Sequence, residues 1–146
     1  MRLCDKSLSI VQYDVNIVNL GSAAIGRISC MNRGEVYDAR LEPVEGSEQG
    51  GTRPVMIVSR ATINTYSPVV LAIPCTTYQT GKRVYPTQVL IKAPDGGLTN
   101  DSIAMADRVR VRSKSRLLSL RGMLSDEAIL LLNQALLIGL NLPGQV

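Results

Sequence analysis

From residue 35 to residue 111 the apolar residues of this chain come in short runs, each ended by proline, glycine or a polar loop. No other feature restricts its fold as much. Glu35–Leu41 sets Tyr37, Ala39 and Leu41 against Val36, Asp38 and Arg40, the period of a half-buried strand. Pro54–Ser59 and Pro68–Cys75 are rich in Val and Ile and read as central strands buried on both faces. Pro86–Lys92 reads as a further strand, reached through a loop with Thr80-Gly81-Lys82 at its tip. Pro94-Asp95-Gly96-Gly97 is a turn, and Ser102–Val111 a final strand. Strands this short at this spacing predict a small β-barrel.

Only the C-terminus has a helical pattern. Ser125 can cap, and Asp126 and Glu127 stand in the first turn, where the helix dipole favours carboxylates. From Ala128 to Leu140 the segment is apolar nearly all the way round, and Pro143-Gly144 ends it. A surface helix needs one apolar stripe, so this one is expected to be covered on more than one side. The barrel is one cover, and a second copy of the chain is the simplest other, which predicts a homodimer. The fold class is β-rich α+β: a compact small barrel with a long apolar C-terminal helix.

The 146 residues suffice for one domain. With no Phe and no Trp, the core falls to Val, Ile, Leu and Met. No apolar run approaches the roughly 20 residues of a membrane helix, so no membrane partner is expected. A net charge of +4 leans toward polyanionic partners. There is no His, and Cys4, Cys30 and Cys75 share no ligand spacing. A Cys/His zinc site and imidazole catalysis are therefore excluded, and no metal or cofactor is expected. An odd number of thiols fits a reducing, cytoplasmic setting.

Residues 1–30 read differently from the rest. Asp5, Asp14, Asn16 and Asn19 interrupt any signal-like apolar region, and Met31-Asn32-Arg33-Gly34-Glu35 looks like a fresh start. The expectation is an extension, 1–30, upstream of a domain at 31–143; the alternative is an extra strand pairing with the barrel edge.

Four places could carry chemistry. The loop Glu45–Arg53 is glycine-rich and ends in an arginine able to fork onto a phosphate; otherwise it is a plain hairpin loop. Thr76 and Thr77 put hydroxyls where a buried strand leaves the core, or are ordinary strand-end residues. Arg108, Arg110 and Arg112 alternate with valines, so on a strand they form one basic row, suited to a phosphate backbone or simply solvated. Tyr66, Tyr78 and Tyr85 fall in loops, where they could stack on splayed bases or sit at a boundary.

Taken in order, Arg33-Gly34-Glu35-Val36-Tyr37, Gly46-Ser47-Glu48-Gln49-Gly50-Gly51-Thr52-Arg53-Pro54-Val55, Tyr85-Pro86-Thr87, Asp107-Arg108-Val109-Arg110 and Lys114-Ser115-Arg116-Leu117 resemble the MazF/PemK-type toxins across about residues 31–142. The glycine-rich stretch running into Arg53-Pro54 is the most specific of these pieces. The resemblance implies an SH3-like barrel, a homodimer and sequence-specific, metal-independent cleavage of single-stranded RNA (an mRNA interferase). A cognate antitoxin would cover the RNA groove. It also implies that Arg53 and Thr76 are catalytic, although the family commonly has an aliphatic residue where Cys75 precedes the threonine. Ser47, Gln49, Thr77, Arg108, Arg110 and Arg112 are the expected RNA contacts.

The chemistry is consistent with the residues. RNA brings its own nucleophile, the 2′-hydroxyl, so aligned guanidinium and hydroxyl donors can stabilise the phosphorane without imidazole or metal. A guanidinium is a poor proton donor at neutral pH, so the role expected of Arg53 is charge stabilisation. Two other readings are a gyrase-directed toxin on the same barrel and a non-catalytic binding remnant. The first acts through a C-terminal Trp that this chain lacks, and retention of Arg53 and Thr76 argues against the second.

Overall fold

In a computed structural model of the chain, the described residues are 31–42, Gly46 and 50–144. The expectations for residues 1–30, Ser47 and Gln49 lie outside them. Seven strands form one antiparallel sheet. They are β1 (Glu35–Arg40), β2 (Thr52–Ile57), β3 (Val69–Thr77), β4 (Gln88–Ile91), β5 (Ser102–Met105), β6 (Arg110–Ser113) and β7 (Leu117–Met123). A short helix, α1 (Ala61–Tyr66), follows β2, and α2 (Asp126–Gly139) ends the fold. The order is β4-β5-β3-β2-β1-β7, with β6 also on β3. β4 and β7 end that path and do not pair with each other. The expected barrel is thus corrected to an antiparallel sheet that is not closed.

Period-two alternation divides the core in two. Val36, Met56, Ile73 and Cys75 point to one side, where Ala128, Leu132 and Ala135 of α2 cover them. Val55, Ile57, Val70 and Ala72 point to the other, where they meet Ala39, Leu41 and Met31. β1 feeds both sides by the same alternation, Val36 into the first cluster and Tyr37, Ala39 and the following Leu41 beside the second, while its register with β7 shifts between Val36 and Tyr37 and between Asp38 and Ala39.

The sequence read one strand over Ser102–Val111; the structure has two. β5 pairs with Cys75–Thr77 and β6 with Val69–Ala72, and between them a 3-10 turn, Ala106–Arg108, takes the chain out of the ladder. Opposite the break stand Ile73 and Pro74, and proline has no N–H to offer a neighbour. Two further elements, α1 and β7, carried no signal strong enough to be expected. The polar interior of α1 is Asn64, fully buried, whose Nδ2 donates to the Ser59 carbonyl at 2.9 Å.

Ser125 caps α2 as expected, its hydroxyl accepting from the Ala128 amide. Asp95 holds that cap in turn, accepting from the Ser125 amide at 2.8 Å and from its hydroxyl at 2.6 Å. Gly97 makes this approach possible: it has φ +71°, and a Cβ there would sit 2.3 Å from the Arg121 carbonyl oxygen. Within the single chain α2 buries only the stripe Ala128, Leu132 and Ala135. Leu130 and Ile138 remain 62% and 54% exposed.

Candidate active site

β2 and β3 are antiparallel partners through Val55–Pro74, Met56–Ile73 and Ile57–Ala72. Carried two residues further, that register sets Arg53 opposite Thr76, on one face of the sheet. The β2–β3 pairing stops at Val55–Pro74, and from Cys75 onward β3 pairs with β5 instead. Where β2 and β3 part, a cleft of about 280 Å³ opens. Gly50, Gly51, Thr52, Arg53 and Pro54 line one wall, and Cys75, Thr76, Thr77 and Ser102 the other. The two expected catalytic residues, 23 positions apart in the chain, therefore meet in one site.

Arg53 is half-buried, and its Nε donates to the Gly50 carbonyl at 3.1 Å. This contact engages Nε, and among the described residues the two terminal nitrogens remain as donors for an anion. Thr76 is half-buried and Thr77 exposed; their register partners are Ile103 and Ser102. Ser102 was not singled out from the sequence. It is buried, and its hydroxyl donates to the Asn100 carbonyl at 2.9 Å, so what it can offer the cleft is an acceptor. No sequence signal would have found it, since only the pairing of β3 with β5 brings it here.

Cys75 is fully buried, and the apolar surroundings push its thiol up to about 12, with a smaller opposing pull from Arg121. At neutral pH it is a thiol and not a nucleophile. Among the described residues the lining has no carboxylate, and it consists of a guanidinium, hydroxyls, a thiol, a proline and glycine backbone. Such a set recognises an anion through donors and leaves the nucleophile to the ligand.

The expected row of Arg108, Arg110 and Arg112 is corrected. Arg108 is exposed in the 3-10 turn before β6 and belongs to no strand. Arg110 and Arg112 pair with Ala72 and Val70, so they share the sheet side of the second apolar cluster. There Arg110 is exposed, but Arg112 is only 7% exposed. Alternation held for the two strand residues; which side would be covered depended on the fold. Tyr66, expected in a loop, is instead the last residue of α1; it and Tyr85 are exposed, and the Arg83 guanidinium lies over the Tyr85 ring at 5.5 Å.

Residues 32–140 match the family described as the PemK-like, MazF-like toxin of type II toxin-antitoxin systems. The chain is 41% identical over 112 residues to a Staphylococcus saprophyticus protein named endoribonuclease MazF, spanning 77% of this chain and 92% of that one. Its fold is similar to the solved structure of a mycobacterial endoribonuclease in complex with its cognate antitoxin. There the TM-score is 0.65 at 29% identity, covering 79% of this chain and 99% of the other. MazF from Deinococcus radiodurans superposes with a TM-score of 0.66 at 24% identity, over 77% and 98% of the two chains, a likeness of fold alone.

Proposed function

Because the chain belongs to the PemK-like, MazF-like toxin family and is an endoribonuclease toxin with an antitoxin partner, we propose that it cuts single-stranded RNA at a short motif, without metal, using Arg53 and Thr76. The observation that carries this reading is that those two residues line one cleft whose described lining holds no carboxylate. The 2′-hydroxyl of the substrate attacks the adjacent phosphorus and the P–O5′ bond breaks, giving a 2′,3′-cyclic phosphate and a 5′-hydroxyl. Charge gathers on the equatorial oxygens as the phosphorane forms. The fork of Arg53 and the hydroxyl of Thr76 are donors suited to meet it. Thr77, Arg108 and Arg110 are exposed and serve as further RNA contacts. Among the described residues no helix is long and apolar enough to cross a membrane.

Purified protein incubated with a long RNA in EDTA should cut at recurrent positions and leave cyclic-phosphate ends. Strict dependence on added Mg²⁺, or 5′-phosphate products, would sink the reading.

We also place the catalytic domain at residues 31–143. The family match begins at residue 32, and Met31 is itself buried in the second apolar cluster. A chain starting at Met31 should melt and cleave like the full one. A large drop in melting temperature would make residues 1–30 part of the fold.

A further inference from the structure

The donor geometry of Arg53 is set by a carbonyl three residues earlier, and the orientation of that carbonyl is set by one backbone angle. The Gly50 oxygen belongs to the peptide plane between Gly50 and Gly51. Rotation about φ of Gly51 swings that plane relative to the strand carrying Arg53. Gly51 has φ +77°, in the left-handed region, and in that state the Gly50 oxygen accepts from Arg53 Nε at 3.1 Å. The plane on its other side is anchored, because the Gly51 carbonyl accepts from the Leu41 amide at 2.9 Å. Among the described residues a Cβ at Gly51 would meet nothing within 4 Å, so they leave room for a side chain there. What glycine provides there is the angle.

We propose that Gly51 is a positioning residue for cleavage: its left-handed conformation aims the Gly50 carbonyl at Arg53 and holds the guanidinium with both terminal nitrogens directed into the cleft. The proposal rests on the assignment of Arg53 as catalytic. With an L side chain at residue 51 that disfavours positive φ, the peptide plane relaxes and the fork loses its fixed plane. RNA binding, which draws on charge spread over several residues, should be much less affected.

The test is single-turnover cleavage at saturating enzyme, with RNA affinity measured separately, for Gly51→Asn, Gly51→Ala and Gly51→Val in the full chain. Asn tolerates the left-handed region and should stay within about threefold of the parent rate. Ala should fall about tenfold and Val further in cleavage of bound RNA. Melting should change little, because the added atoms enter open space; if the Val variant fails to fold, the Ala–Asn pair decides. Parent-like cleavage by Gly51→Ala, or equal loss in Asn and Ala, would overturn the proposal. Arg53→Ala run beside them separates the two claims. If it cleaves normally, the assignment of Arg53 itself fails; if it is dead while Gly51→Ala is fully active, only the positioning role fails.

Discussion

Arg53→Ala should lower the rate of RNA cleavage at saturating enzyme by about 10²–10³-fold, equivalent to roughly 2.7–4 kcal/mol, the usual loss when one donor leaves a preorganised anion site. The fold should survive. Arg53 is half-buried at the start of β2, outside both apolar clusters, and its side chain donates to the Gly50 carbonyl. Thr76→Ala should cut turnover in the same way with little effect on RNA affinity, since its hydroxyl lines the same cleft. Arg53→Lys is the sharper variant. It keeps the charge, loses the planar fork and the Nε contact, and should remain severely impaired. Arg110→Ala should behave differently, weakening binding and flattening its salt dependence while bound RNA is still cut. If Arg53→Ala cleaves bound RNA at a near-normal rate, the cleft between β2 and β3 is not the catalytic site. Denaturant melts of each variant separate loss of chemistry from loss of fold.

The second large effect concerns α2. We propose that its uncovered face meets a second copy of the chain, because Leu130 and Ile138 stand 62% and 54% exposed, two turns apart on one side of the helix. Light scattering at micromolar concentration should report about twice the chain mass, and Leu130→Asp should bring it to a single chain. Leu132→Asp should do something else. Leu132 is 2% exposed inside the first apolar cluster, and a carboxylate there has no partner. That variant should unfold, because an unpaired buried charge is among the few changes that cost more than about 4 kcal/mol. The two aspartates thus separate the face that holds the fold from the face that holds the dimer. A wild-type protein that runs as a stable single chain would refute the dimer. Parent-like melting of Leu132→Asp would contradict the burial on which this distinction depends.

Strand periodicity was legible from local sequence because burial of one strand face imposes a period of two. β1, β2, β3 and β4 fall within two residues or so of where apolar runs place them. The cap of α2 was equally plain, since Ser125 with Asp126 and Glu127 satisfies orphan amides through short-range contacts alone. Resemblance of the glycine-rich stretch marked Arg53, and its place after Ala72-Ile73-Pro74-Cys75 at a strand end marked Thr76.

What local sequence did not contain is anything set by partners distant in the chain. Leu117–Met123 has no clean alternation, and it is a strand because β1 pairs with it through two register shifts. Ser102–Val111 looked continuous. It breaks opposite Pro74, and that break removed Arg108 from any strand, while the cover over one sheet side buried Arg112. Ser102 joined the cleft only through its pairing with Thr77. By itself, then, the sequence determined where four of the strands would lie and where the long helix would start, and it nominated the two side chains proposed to do the chemistry. Tertiary structure decided the register that sets Arg53 opposite Thr76, the parting of β2 from β3 that opens the cleft, and which arginines remain exposed. Periodicity and capping come from contacts between near neighbours in the chain. Register and exposure come from which strand lies alongside, which no local pattern encodes.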